Sequence, residues 1–317
     1  MVTLAQLKET NQDKLCAGVI EEFQRNSILM DSMEYDDAVG VTGGSTLTYG
    51  YMREKTASTA GTRAVNGEYT PSEGTVEKVS TDLAIMGGSY KIDRVIARAS
   101  EGAYVDQVVY QAAAKVKATK AAFSDMIING DKTADANGFD GLDKILTGSN
   151  TEVTSTVDLS TSAKVTENAN ALVDEFEEVI KEMDGEPDFI LANGKMIAKI
   201  KAVARRTSQY QEAKDDFGRN VEKYGNAILV DMGKVSRNGN EEDIVKTTAN
   251  KTDVYFVRLG LDGFHGITLR DGNMISANAP DYTTAGAVKE GDVELVAGIA
   301  LKNTRAAAVL RGVTISA

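Results

Sequence analysis

Residues 41–90 cannot build a core of their own, and that limits every fold open to this chain. Gly43, Gly44, Gly50, Gly61, Gly67, Gly74, Gly87 and Gly88 punctuate a stretch rich in Thr, Ser and Tyr. Its apolar content is too low to offset the entropy of ordering it alone. Within it, Thr46-Leu47-Thr48-Tyr49 and Thr75-Val76-Glu77-Lys78-Val79 alternate as half-exposed strands do. The pattern predicts a long hairpin with a polar tip at residues 53–66. A hairpin alone is marginal in water and needs a surface to lie on. Two readings stand: a disordered insert, or a loop lying across a neighbouring subunit.

Residues 1–37 raise the same question. Leu15, Val19, Ile20 and Phe23 fall at helical spacing between polar flanks, and read as an arm that must lie on something else. Residues 1–15 are polar and mixed in charge, unlike a secretory signal, and no apolar run approaches the roughly 18 residues of a membrane span. The expected starting place is the cytoplasm of the producing cell.

The clearest element is a helix at residues 103–128. Val105, Val108, Val109, Ala112, Val116, Thr119, Phe123, Met126 and Ile127 share one face. The body is Ala-rich and free of Gly and Pro, and would run about 39 Å. Asn129-Gly130-Asp131 stops it, with Gly130 suited to a left-handed cap. Gly138-Phe139-Asp140-Gly141-Leu142-Asp143 follows as a turn with apolar anchors. Residues 165–183 read as a second amphipathic helix, 187–192 as a short strand ended by Asn193-Gly194, 195–204 as a third helix and 227–231 as a buried strand. That alternation describes a compact α/β unit. Strands are expected at 253–258, 266–269, 294–301 and 307–312, the last tying the chain's end into a sheet. No internal repeat of 20 to 50 residues is visible.

The formal net charge is −12, from 47 acidic and 35 basic residues. No basic run exceeds Arg205-Arg206, so tight binding of nucleic acid through phosphates is not the main task. An acidic wall would suit a passive container, because it would not stick to nucleic acid inside. A single Cys (Cys16) allows no intrachain disulfide, and one Cys with one His (His265) is too little for a structural zinc site. Neither a phosphate loop nor a nucleophile elbow occurs. Gly260-Leu261-Asp262-Gly263, beside His265, reads as a turn between strands. Asp131, Asp135, Asp140 and Asp143 lack the calcium-loop pattern and read as a solvated acidic loop. Arg205 and Arg206 read as a solvated face or ion pairs.

The order of these parts resembles the HK97-like major capsid proteins of tailed bacteriophages over nearly the whole chain. The most specific matches are the long helix with its Asn129-Gly130-Asp131 stop, the Gly138-Phe139-Asp140-Gly141-Leu142 turn, and the closing Ala307-Ala308-Val309-Leu310-Arg311-Gly312 strand. The resemblance implies an α+β, HK97-like capsid fold. Its parts would be an N-arm (1–40), an extended β-hairpin loop (41–90), a peripheral domain (91–160 and 270–317, with the spine helix at about 103–128) and an axial α/β domain (161–269). It further implies a non-enzymatic major capsid protein without cofactors. Such a protein self-assembles as pentamers and hexamers into the icosahedral shell around phage double-stranded DNA, and ends in the virion after assembly in the host cytoplasm. Each loop would lie over the next subunit. Expected partners are other copies of the chain, a portal, a separate scaffolding protein (the chain opens on Met1 with no long helical extension before the arm) and a decoration protein. No membrane is expected.

The family's namesake cross-links its shell through a loop Lys, an Asn and a catalytic Glu. Lys55 could serve as the loop Lys. Counted back from Arg311-Gly312, the other positions fall near Lys289 and Val296, and neither matches. No covalent cross-links are therefore expected. Arg53, Glu54, Lys55 and Arg63, placed at the loop tip, and Glu68 are the candidates for intersubunit ion pairs. The alternatives are an encapsulin-like cellular compartment shell, a soluble α/β enzyme, which the missing motifs disfavour, and a bacterial surface protein, which the missing signal segment disfavours.

Overall fold

The computed structural model describes residues 28–39, 47–100, 106–207, 211–214, 220–237, 239–269 and 274–316. The helical spacing at Leu15, Val19 and Phe23 lies outside them. A short helix, α1 (Ile28–Ser32), leads to strand β1 (Tyr35–Val39). Strands β2 (Thr48–Thr56) and β3 (Thr75–Asp82) form the hairpin. After Leu83 come β4 (Ala84–Asp93), α2 (Arg94–Ser100) and the long helix α3 (Gln107–Asn129). The middle of the chain holds α4 (Leu142–Leu146), β5 (Glu152–Thr154), α5 (Ser162–Glu167), α6 (Ala169–Glu182), β6 (Phe189–Ala192) and α7 (Gly194–Arg206). Strands then dominate: β7 (Gln211–Lys214), β8 (Asn220–Tyr224), β9 (Ala227–Asp231), β10 (Lys234–Arg237), β11 (Asn240–Asp243), β12 (Thr247–Thr248), β13 (Lys251–Val257), β14 (Phe264–Leu269), β15 (Ile275–Asn278), β16 (Val288–Leu301) and β17 (Ala307–Thr314).

Two sheets organise the molecule. In the first, the long β16 pairs with β4 on one side and with β15 and then β14 on the other, and β1 joins β14 in parallel. In the second the order is β5-β17-β13-β6-β9-β8-β7, with β12 appended to β13. The closing strand β17 thus lies inside this sheet, between β5 and β13.

The second sheet is covered on both faces, which explains why its strands read as continuous apolar runs. Successive side chains on a strand point to opposite faces. Phe189, Leu191, Tyr255, Val257 and Val309 enter one core with α1, α4 and the C-terminal half of α3. Their neighbours Ile190, Ala192, Val254, Phe256, Ala308 and Leu310 enter another, under α6 and α7. There Phe176 of α6 meets Phe256 edge-on, ring centres 5.1 Å apart. Each such fully buried side chain contributes about 1.5–3 kcal/mol relative to exposure.

Several local expectations change. The long helix starts at Gln107: Asp106 is its N-cap, its carboxylate accepting from the Val108 and Val109 amides at 2.9 and 3.3 Å. Its 23 residues run about 35 Å. Only the C-terminal half carries the buried stripe, with Phe123, Ile127 and Ile128, whereas Val109 is 65% exposed. Gly130 is not a left-handed cap, having φ −56° and ψ 134°. It is required by space: a Cβ there would lie 2.4 Å from the Phe139 carbonyl oxygen and 2.6 Å from that of Met126. Gly141 is crowded in the same way by the Ile128 carbonyl at 2.6 Å, and its amide donates to the Gly130 carbonyl at 2.9 Å. The two glycines let the turn fold back onto the helix end and bury its anchors Phe139 and Leu142.

The helix expected at 165–183 is two, α5 and α6, divided at Asn168. Asn193 does not merely end β6; it caps α7, accepting from the Met196 amide at 2.8 Å. Its amide group donates to the Val245 carbonyl and the Thr247 and Thr252 hydroxyls, so this buried side chain fixes the strand-to-helix corner. The Gly260–Gly263 turn joins strands of the two different sheets, β13 and β14. The hairpin strand β2 runs through Thr56, so Arg53, Glu54 and Lys55 stand in it rather than at the tip, and β4 belongs to the first sheet.

Candidate assembly surface

The hairpin is fastened at its root by side chains that alternate along β2. Tyr49, Tyr51 and Arg53 share its inner face. The Tyr51 hydroxyl donates to the Leu301 carbonyl at 2.8 Å. Arg53 donates to the carbonyls of Leu301 (2.9 Å) and Lys302 (3.1 Å) and to the Tyr51 hydroxyl (3.1 Å). The buried Tyr49 donates its hydroxyl to Asp36 at 2.7 Å, and Lys302 stands 5.4 Å from its ring centre. Burial, then the Asp36 carboxylate, push the Tyr49 phenol well above its ordinary range. On β3, Asp82 accepts from the Thr48 hydroxyl at 2.7 Å and pairs with Lys132 of the turn after α3. Hydrogen bonds from Lys132 and Thr48 hold the Asp82 carboxyl below the usual carboxylate range, against its partial desolvation.

Beneath the root lies a small apolar cluster of Tyr49, Leu83, Ile267 and Ala300. Ile267 and His265 share one face of β14, and the neighbouring Phe264 points into the main core. His265 is fully buried, its ring edge-on to Tyr49 with centres 6.0 Å apart. Among the described residues neither ring nitrogen has a hydrogen-bond partner.

Beyond the root the hairpin has no cover. Residues 57–74 are exposed throughout. Val65 is 91% and Tyr69 65% exposed, with the Arg63 guanidinium 5.4 Å from the Tyr69 ring centre. On the outer face Met52 and Val76 are also uncovered. A second uncovered apolar group lies where β4, α2, α3 and the start of β16 meet: Val95, Ile96, Val109 and Val288. The Arg94 amide donates to the Ala287 carbonyl there, and Arg94 and Arg98 are exposed on α2.

Of the candidate contact residues, Arg63 and Glu68 do lie in the exposed tip. Arg53 is committed to its own chain at the root. Lys55 faces Glu77 across the hairpin at 3.8 Å, and Glu54 is exposed. The spacing missed the root itself, although Tyr49, Tyr51 and Arg53 at every second residue carried the signal.

The acidic stretch after α3 is mostly used on its own turns. Asp131 accepts from the Thr133 amide and hydroxyl and pairs with Lys144, and Asp140 accepts from the Lys132 amide. Asp143 instead reaches Arg311 of β17, which also pairs with Glu152 and Asp253, both at 2.9 Å. Among the described residues no group of three or more His, Cys, Asp or Glu is placed to hold a metal ion. Arg206 joins helices, donating to Thr166 and Ser162 of α5. Among the described residues no helix is long and apolar enough to cross a membrane.

No family model and no curated protein matches the sequence. Solved structures match in fold, over almost the whole of both chains. A holo-SrpI encapsulin complex from Synechococcus elongatus PCC 7942 superposes with TM-score 0.71 at 15% identity, covering 100% of this chain and 98% of that one. The capsid of a native GTA particle gives 0.66 at 13%, with 98% of each chain covered. The capsid of Myoviridae phage XM1 gives 0.60 at 10%, with 99% of each covered. Identity this low speaks to the fold alone, and the fold of this chain is the HK97-like one that capsid and encapsulin subunits share.

Proposed function

We propose that this chain is the major capsid protein of a tailed phage, a structural rather than catalytic subunit. Pentamers and hexamers of it would close into an icosahedral shell around double-stranded DNA. The observation that carries this reading is the hairpin. Its root is fastened by Tyr49, Tyr51 and Arg53, while eighteen exposed residues beyond it (57–74) hold Val65 and Tyr69 in water. Ordering such a segment without covering it is unfavourable, and a neighbouring copy offers cover.

The α2 surface suits that role. It offers Val95, Ile96 and Val109 beside Arg94 and Arg98, and the tip brings Val65 and Tyr69 beside Glu68 and Glu73. A head-to-tail contact between two different patches of one chain builds rings when the rotation closes. Glu54, Lys55, Arg63 and Glu68 remain candidates for ion pairs between subunits, each worth about 0.2–1 kcal/mol when exposed. Arg53 would act one step back, by holding the hairpin. In this reading the N-arm is 1–40, the peripheral domain 91–160 with 270–317, and the axial domain 161–269. A separate scaffolding protein, a portal and a decoration protein complete the particle.

The second reading is an encapsulin-like compartment shell, favoured by the superposition on the SrpI complex. Electron microscopy of the chain expressed alone and with its genomic neighbours tests both. Closed shells, or rings of five and six, are expected for the wild type, and a folded but poorly assembling subunit when residues 57–74 are replaced by a tight turn. Nuclease-protected DNA inside particles marks a phage shell; protein cargo without DNA marks a compartment. A monodisperse monomer or dimer under every condition overturns the shell reading.

A further inference from the structure

We infer that His265 is an acid-sensitive latch under the hairpin: it holds the root down while neutral and releases it when protonated. Three observations converge. The side chain is fully buried and neither ring nitrogen has a hydrogen-bond partner among the described residues, an arrangement that a neutral imidazole tolerates poorly and an imidazolium far less. It lies on the outer face of the first sheet, under Tyr49 of the hairpin. The hairpin's apolar seat is the same cluster beneath its root, on which the half-buried Tyr51 also packs, whereas residues 57–74 beyond it are exposed. Lifting the root therefore takes the Tyr49 ring off His265 and opens a way for water to the imidazole.

The charges around the ring favour the neutral form. Lys302, beyond β16, presents its ammonium to the same Tyr49 ring. Asp36 of β1 would favour the cation but is shared, accepting from Tyr49 and lying 3.9 Å from Lys302. On the turn entering β14, Arg258 and Asp262 close on each other at 3.1 Å, and on β2 the flanking Tyr51 and Arg53 are occupied with the Leu301 carbonyl. Burial, and then Lys302, hold the imidazole below its ordinary value, against the pull of the Gly263 and Gly260 backbone and of Asp36. A histidine depressed in the docked state and ordinary in the lifted one takes up a proton on opening. Docking is at full strength above about pH 6.5 and weakens as the pH falls, until the docked value is passed.

This is a property of the chain's own fold. Only its consequence, a shell whose loops loosen in mild acid, rests on the shell reading. The chain has one histidine, so its imidazole signals need no assignment. The experiment is hydrogen exchange on the full chain from pH 7.5 to 5.0, corrected for intrinsic rates, beside NMR titration of the imidazole. Opening of Thr48–Thr56 should increase by up to about tenfold per pH unit below 6.5. H265F should remove that increase, with His265 in the wild type titrating below the ordinary range. H265Q, polar but without a titrating proton, is the second variant should Phe not fit. Opening that does not change with pH in the wild type, or that changes equally in either variant, overturns the latch. Failure to form shells leaves this outcome readable, because exchange is measured on the chain itself.

Discussion

Arg311 meets three carboxylates from three elements: Asp143 of α4, Glu152 of β5 and Asp253 of β13. It also donates to the Thr147 hydroxyl at 3.1 Å, and stands with its guanidinium 5.9 Å from the ring centre of the buried Tyr255. Burial, then the charges of Asp143 and Asp253, push the Tyr255 phenol well up, so it stays a neutral partner. Removing the guanidinium would leave three acids facing one another around an apolar wall. Breaking a fully buried pair costs about 3–5 kcal/mol, and the 47% exposure of the Asp143 side chain lowers the figure here. R311M should lose roughly 2–3 kcal/mol in denaturant unfolding and regain part of it with D143N. A single variant within 0.5 kcal/mol of wild type would mean that the cluster is solvated and contributes little.

At the scale of elements, the hairpin and the long helix show what a sequence displays. Alternation along residues 46–49 and 75–79 marked the hairpin, because only one face of each strand is covered, but not the extent of the first strand, which runs from Thr48 to Thr56 through residues read as the tip. It could not say that Arg53 would turn back to two backbone carbonyls, since those acceptors lie 248 and 249 residues away. The helix shows the converse. Its apolar stripe is continuous in sequence from Val108 to Ile127, but neighbouring elements bury it fully only in the C-terminal half, and burial is a tertiary property. Gly130 was recognisable as a stop; the reason, a carbonyl pressed against where a Cβ would sit, depends on a turn folding back eleven residues later at Gly141. His265 was visible as the lone histidine, yet its seat under Tyr49 was not, because β2 and β14 meet only through the third dimension. The root yields a prediction of its own. R53M keeps the side chain's length but removes its donors, and should cost about 1–2 kcal/mol of local stability. Amide exchange in Thr48–Thr56 should then rise roughly 5- to 30-fold with α6 and α7 unchanged. Equal exchange in wild type and variant would show that Tyr49 and Tyr51 suffice.

For the whole molecule, on the proposed shell reading, the question is what would join one copy to the next. Covalent joining through sulfur is capped by composition: with Cys16 alone, two chains can be linked and no third. Joining through an amide needs a lysine and a side-chain amide brought to an activating carboxylate. Lys55 is exposed, 3.8 Å from Glu77 across the hairpin, but the two positions that the resemblance assigns to the rest of the reaction hold Lys289 and Val296. Lys289 is buried, donating to the Thr284 carbonyl and hydroxyl. It has the wrong charge and too little freedom to take the place of an amide or an acid. The remaining means are apolar cover and ion pairs, individually weak and repeated in every copy. They must also overcome the repulsion of chains that each carry a formal charge of −12. Assemblies should therefore dissolve completely in detergent: on a denaturing gel without reductant the expected pattern is a monomer band with at most a dimer, and the dimer should vanish when reductant is added. A ladder of trimers and higher species surviving boiling would show that the chain has another bond-forming site, and Lys55→Arg would then be the first variant to make.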